Sequence, residues 1–317
     1  MSRIPMPPQL PHGSFLVDDA DRLGLSVKQL SRDGIFTPSR GIRLPLHSTG
    51  SVADNVRAYS RLDPTSVLTH STSARICCIC LPGWLDQDWR IHIARPADGW
   101  KPRRRNVVGH QLSFKPGEVV MFDGVRLTSP ARTWLDLASL LSIDELVAAG
   151  DSVVVEHGED FPVPRQALAT LGDLKRIVGL HPGMRGVRKA RLALDLIRVG
   201  ADSAPETMMR LALVRAGLPE PTLNVVLRNR IGQPVVWPDA AYPEWRIALQ
   251  YDGAHHGGSE QYRRDIKRHG LTENLGWREV RVQSSDLEGD RPFVVEKVRA
   301  VLRAPYEAAV DERTGSY

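Results

Sequence analysis

The chain has 317 residues, 42% hydrophobic and 25% charged, which excludes wholesale disorder and leaves room for two domains and a smaller module. No run approaches the roughly 20 apolar residues a membrane-spanning helix requires, and the Pro-rich start MSRIPMPPQLPHGSFL has no apolar signal core, so a cytoplasmic protein without membrane association is expected. The net charge of +5 suits a polyanionic partner.

Residues 1–45 read as a winged helix-turn-helix-like unit. Residues 14–24 carry Phe15, Leu16, Ala20 and Leu23 at roughly helical spacing, closed by Gly24. Ser26 is placed to cap a second helix, SVKQLSRDG, ended by Gly34. IFTPSRGIRLP then turns through Pro-Ser-Arg-Gly between two short extended pieces. This layout puts Lys28, Gln29 and Arg32 toward a DNA groove and Arg40 and Arg43 on the wing. A small helical cap on the next domain, with solvated basic residues, satisfies the same pattern.

Residues 46–177 read as a mixed αβ domain. SVADNVRAYSRL is expected as a helix; RICCICLP, DWRIHIARP and NVVGHQLSF are expected as strands. Cys77, Cys78 and Cys80 then lie in a buried strand, ARICCICLP, in a reducing compartment. Neighbours on a strand point to opposite faces, so the three thiols make a poor chelate, and the spacing gives no reason to recruit His70 or His110. KPRRR at 101–105 is a loop between strands, either solvated or touching phosphates. TSPARTWLDLASLLSIDELVAAGDSVVVEHG opens on a Ser/Thr cap and runs as two amphipathic helices. Residues 178–200, with VRKARLALDLIRVG, form a basic linker helix.

From Ala201 the pattern sharpens. SAPETMMRLALVRAGLPEP is a helix with Pro205 early and Gly217 as its stop. TLNVVLRN, PVVWPDAAY and EWRIALQYDG follow as three strands, the last alternating through Trp245, Ile247, Leu249 and Tyr251. SEQYRRDIKRHGLTENLG is a long charged helix, WREVRV a fourth strand and DRPFVVEKVRAVL a final helix. Hairpin-like strands followed by a helical crossover give a mixed sheet flanked by helices over residues 201–307, with a tail at 308–317. The class is α/β, or α+β taken over the whole chain.

Oxygen-bearing side chains recur where a metal-dependent nuclease needs them. Glu206 opens the helix, Asp239 ends the second strand, and Gln250 and Asp252 share one face of the third. A hard cation such as Mg²⁺ takes such oxygens with water completing the shell, and lowers the pKa of a bound water beside the scissile phosphate. His256 is placed to move a proton. Arg263, Arg264, Lys267 and Arg268 lie on one helix and suit backbone phosphates. The structural alternatives are plain: Ser203 and Glu206 have capping-box spacing, Asp239 follows a proline as a turn residue does, and Asp252-Gly253 is a common turn pair.

SAPETMMRLALVRAGLPEPTLN, VVWPDAAYPEWRIALQYDGAHH and RRDIKRHGLTENLGWREVRV together resemble the DUF559 group, related to the very-short-patch-repair (Vsr-like) endonucleases of the PD-(D/E)xK superfamily. The resemblance covers about residues 200–303. It implies a restriction-endonuclease-like domain in which Asp239 is the metal-binding aspartate and Gln250 and Asp252 are the E-x-D pair. It further implies that His256 is the histidine after the D-G turn, that Asp265 and Arg268 belong to the following helix, and that Gly276-Trp277 opens the next strand. The group usually has glutamate where this chain has Gln250, and an uncharged amide holds a hard cation less strongly, which implies weakened cleavage or conversion to a binder. Pro234 and Pro238 also depart from a simple strand.

DDADRLGLSVKQLSRDGIFTPSRGIRL, VLTHSTSARI and GVRLTSPARTWLDLASLL resemble the AbiEi-type antitoxin region, a winged helix followed by an αβ domain. That resemblance implies DNA binding and does not imply a toxin partner. The combined expectation is a DNA-binding protein with a Mg²⁺-dependent endonuclease-like domain: Asp239, Asp252 and Gln250 at the metal, Glu206 assisting, His256 shuttling a proton. The alternatives are a non-catalytic antitoxin-like regulator whose nuclease fold has lost activity, and an RNA-directed enzyme.

Overall fold

The computed structural model describes residues 10–303, apart from 27, 32–33, 97–98 and 254–258 and the side chains of 259–262 and 264. The chain mixes α and β elements and divides into two compact units, Met1–Ser142 with Gly172–Ala190, and Ile143–Leu171 with Arg191–Tyr317. This is not the linear division expected from the sequence: the 46–177 stretch gives residues 143–171 to the second unit, and the expected linker at 178–200 is split after Ala190.

The first unit opens with β1 (Phe15–Leu16), β2 (Ile35–Phe36) and β3 (Ile42–Pro45), an antiparallel ribbon with β3 in the centre. Two 3-10 turns, Val17–Asp19 and Gln29–Ser31, stand where two α-helices were expected. Both segments are short, and nucleating a helix is costly. Tertiary bonds decide instead: the Asp19 carboxylate is held by Arg22 and, at 2.8 Å, by Arg61, while Gly24 turns the chain at φ 67°. Phe15, Ala20, Leu25, Leu30 and Ile35 make a small core of their own.

Next come α1 (Val52–Ser60), β4 (Val67–Leu68), α2 (His70–Ile76), α3 (Gly83–Asp86), β5 (Ile91–Arg95), β6 (Val107–Gln111), β7 (Val119–Phe122), β8 (Val125–Thr128) and α4 (Pro130–Leu137). Ser51 and Asp54 close a capping box on α1. The strands form one sheet, ordered β6-β5-β4-β8-β7. The expected cysteine strand is instead helix α2 and its exit: Cys77 caps the helix and Cys78 turns at φ 56°. A short apolar run does not distinguish strand from helix, and here Ser71, Thr72, Ser73 and Ala74, small and all buried, let α2 sit deep in the fold. The 101–105 segment is a loop between β5 and β6, as expected. Gly109 admits it closely, since a Cβ there would lie 2.0 Å from the Pro102 carbonyl oxygen. Arg132 of α4 is buried with Glu118 and, at 2.9 Å, Asp136.

The chain continues through α5 (Ile143–Val154), α6 (Leu171–Leu180) and α7 (Val187–Leu196). In the second unit it then forms α8 (Ala204–Arg215), β9 (Leu227–Arg228), β10 (Pro234–Val236), β11 (Ala240–Tyr242), β12 (Ile247–Asp252), α9 (Ser259–Asn274), β13 (Arg278–Gln283) and α10 (Val294–Arg303). The expected strand PVVWPDAAY is two strands, because Trp237–Asp239 breaks between them. β10 pairs only with β9, whereas β11 joins the main sheet. That sheet is β11-β12-β13, antiparallel then parallel, with α9 as the crossover. Alternation sorts its faces: Ile247, Leu249, Val280 and Val282 enter a core with Met209 and Leu213 of α8 and Val294 and Val298 of α10. Glu279 of β13 points the other way, its carboxylate 3.5 Å from His269 Nδ1 of α9. Asp151 of α5 accepts from buried Arg210 of α8 at 2.8 Å and from Thr207 and the Arg198 backbone N–H. This pairing explains why α5 belongs to the second unit.

Candidate functional site

The α8 entrance and the β10–β11 break bring two carboxyls together. Ser203 precedes α8, with Pro205 in its first turn. Glu206 folds back, Oε2 accepting the Asp202 N–H at 2.8 Å and Oε1 the Ser203 hydroxyl at 2.7 Å. Asp239 lies one residue before β11; continuing the Ala240↔Leu249 register places it opposite Gln250. Its Oδ2 accepts the Tyr251 N–H at 2.6 Å, and the Gln250 side chain also donates to it. Burial, then the charge of Asp239, pushes Glu206 up to about 7. Burial pushes Asp239 up to about 6 against the Tyr251 and Gln250 hydrogen bonds and the charge of Arg268. Two adjacent carboxyls that resist ionising together hold a proton near neutrality.

Of the expected metal set, the structure therefore joins Asp239 and Gln250, together with Glu206, which was expected to assist. Asp252 stands two residues farther along β12, at its exposed end. Its charge acts on Tyr251 and on Arg281 of β13. His256 lies outside the described residues, as does the Arg264 side chain. Arg263 and Lys267 are exposed on α9, and Arg268 pairs with Asp265 at 3.1 Å.

The rest of this cleft is not foreshadowed by any sequence motif. A cavity of about 450 Å³ is lined by His157, Asp202, Glu206, Trp237, Pro238 and Asp239, among others. Asp202 accepts from His157 Nε2 at 2.8 Å and from Arg165 at 3.1 Å. His157 stacks on Phe161 and leaves a buried Nδ1 without a partner. The charge of Asp202 also acts on Glu206 and Asp239, so three acids share one wall. The signal was weak: His157 follows a buried apolar run, and Asp202 sits in a loop well separated in sequence from it.

The expected DNA-reading residues of the first unit fare differently. Gln29 is buried, and its Oε1 accepts the Ser26 N–H at 2.8 Å and the Ser26 hydroxyl at 2.7 Å, so it holds a turn. Arg43 donates to the Leu30 and Ile42 carbonyls, each at 3.0 Å, fastening the ribbon. Lys28 and Arg40 are exposed, as are Lys101, Arg103 and Arg105; Arg32 lies outside the described residues. Arg104 is used internally, on Ser39 and the Arg40 carbonyl.

For Mg²⁺, the cleft offers two carboxylates and, after a turn of its amide, the Gln250 oxygen. One or two carboxylates with water and phosphate oxygens are a usual Mg²⁺ environment, so the donor set fits. Among the described residues, the one place where three His, Cys, Asp or Glu ligand atoms converge is elsewhere, at His70, His92 and His110 of the first unit.

No protein-family model matches the chain, and no solved structure matches it. It is similar to uncharacterized proteins of Mycobacterium tuberculosis strains CDC 1551 / Oshkosh and ATCC 25618 / H37Rv, each 28% identical over 200 residues, covering 62% of this chain and 68% of theirs. These are proteins the chain is similar to, with no activity attached to their names.

Proposed function

We propose that the protein binds DNA and that its second unit carries a metal-dependent endonuclease-like site for phosphodiester hydrolysis, built on Asp239 and Glu206. The observation that carries this reading is the pair of adjacent carboxyls, Glu206 buried and Asp239 partly buried, with the charge of Arg268 on helix α9 acting on Asp239. The Tyr251 N–H fixes the Asp239 carboxylate, and the Asp202 N–H with the Ser203 hydroxyl fixes Glu206, so both oxygens are set before any cation arrives. A bound Mg²⁺ supplies Lewis acidity toward the phosphodiester. Arg263 and Lys267, exposed on α9, suit backbone phosphates, which position a duplex without reading sequence.

One contact favours a second reading, a non-catalytic DNA-binding regulator. Where the resemblance implies a charged ligand, Gln250 is uncharged and its amide donates to Asp239 instead of offering an oxygen to a cation. Nicking of supercoiled plasmid with Mg²⁺, alongside gel shifts, separates the two. The catalytic reading expects the wild-type chain to nick, Asp239→Ala to abolish nicking, and Gln250→Glu to raise it. Gel shifts without nicking by either wild type or Gln250→Glu leave the regulator. Nicking that survives Asp239→Ala overturns the site assignment, and neither nicking nor DNA binding overturns both readings. Cleavage confined to single-stranded RNA moves the substrate to RNA.

A further inference from the structure

We propose that His70, His92 and His110 form a three-imidazole site for a first-row transition metal of the zinc class, with a fourth position open to solvent or a ligand. The cluster is assembled by backbone pairing. β5 and β6 run parallel with Ala94 opposite His110, so His110 projects from the same face as His92, two residues before Ala94. Ala94 is fully buried and small, leaving His110 room to lean toward His92. On the other side of β5 the Thr69 N–H donates to the His92 carbonyl at 3.1 Å, extending the β4 pairing and delivering His70 next to the pair. His70 itself has φ 49°, a conformation uncommon for a non-glycine residue and found disproportionately at functional positions.

The ring nitrogens suit a cation. One ligand atom from each histidine lies within 4.8 Å of the others. His92 Nδ1 and His110 Nε2 are 3.1 Å apart, close to the roughly 3.3 Å edge of a tetrahedron with zinc–nitrogen bonds of about 2.0–2.1 Å. The Thr69 hydroxyl donates its only proton to Asp136 Oδ2 at 2.5 Å. Its 3.2 Å contact with His70 Nδ1 therefore takes the proton from the ring, leaving His70 Nε2 bare. A carboxylate–hydroxyl–imidazole chain of this kind is the outer-shell support that metal-bound histidines use. Arg132 holds Asp136 from behind at 2.9 Å. The His70 and His110 rings stack at 3.9 Å and 15°, so metal binding requires His110 to turn about χ2 while Thr69 holds His70. Three neutral imidazoles and no thiolate select zinc, cobalt or nickel over magnesium or calcium.

The test is titration of the chelator-treated full-length chain with Zn²⁺ alone by calorimetry, and with Co²⁺ alone by visible absorption. The expected result is one ion per chain with the d–d bands of tetrahedral cobalt. His92→Ala and His110→Ala should weaken binding by at least about 100-fold, and Thr69→Val by about 10-fold with the cobalt bands retained. His12→Ala, away from the cluster, should leave affinity unchanged. Circular dichroism checks each fold. Because His110 is half-buried, His110→Gln keeps the fold and decides the matter if an alanine variant does not. A wild-type chain that binds neither ion at micromolar concentration overturns the proposal, and so does binding that survives His92→Ala or His110→Gln undiminished.

Discussion

The two units each bury a cluster of titratable groups, and burial acts on them in opposite senses. In the first unit desolvation strips protons from imidazoles: His70 falls well below its usual value, His92 to about 3 and His110 to about 4. In the second it keeps protons on carboxyls, Glu206 at about 7 and Asp239 at about 6. Both clusters minimise buried charge near neutrality. Their readiness for a cation nevertheless differs. Neutral imidazoles already present lone pairs, whereas the carboxyls must first release a proton, so acidity competes with a metal more strongly in the second unit.

The largest effect expected from this comparison comes from the ion pairs that brace each cluster. Arg210→Ala leaves Asp151 buried without its cation, and Arg132→Ala does the same to Asp136. Each should cost about 3–5 kcal/mol in denaturant unfolding. A near-neutral result for either would show that its carboxylate is hydrated.

pH sharpens the contrast. The imidazole values are depressed from 6.5, so the unfolded chain binds those protons first as pH falls. The first unit's stability is full above about 6.5 and is lost on acidification toward 4 and 3. The carboxyl values are raised from 4.5 and 3.8, so the unfolded chain releases those protons first as pH rises. The second unit's stability is full below about 4 and is lost as pH climbs to about 7. Each change should amount to several kcal/mol. Hydrogen exchange of unit-specific amides between pH 4 and 8 measures them separately, and parallel slopes would break the comparison.

Asp239→Asn should stabilise the second unit by about 1 kcal/mol at pH 8, where two buried charges are relieved of each other, and leave pH 4 unchanged. Equal effects at both pH values would mean that packing, not charge, is responsible. The smallest change, Ser51→Ala, removes the α1 cap and should cost the first unit about 1 kcal/mol in thermal unfolding, with the second unaffected.

Legibility followed local periodicity. The order from α8 to α10 was readable because alternation at Ile247 and Leu249 and the long charged stretch of α9 are strong single-segment signals. Asp239 and Gln250 were placed together because strand pairing follows from that order, and Glu206 joined them through a cap legible as S-x-x-E. Asp202 and His157 were not readable, since a loop and the end of a buried helix meet there only in three dimensions. The histidine cluster was hidden for the same reason: the cysteine run pointed to a strand, so the helix that carries His70 was not anticipated. At the N-terminus, the Ser26 cap pattern suits a helix that would present Gln29 as a reading residue; a 3-10 turn forms instead, and the Gln29 side chain is spent on Ser26.

The chain leaves the first unit after Ser142, returns at Gly172 and leaves again after Ala190. A fragment started at Ala201 would contain every strand of the β11-β12-β13 sheet and yet lack α5, taking from buried Arg210 its partner Asp151 and leaving it only the half-exposed Glu220. Neither half can thus be lifted out by one cut or swapped by one recombination event. On the ribosome, too, the second unit does not close from its own tail alone; it waits with a helix made long before.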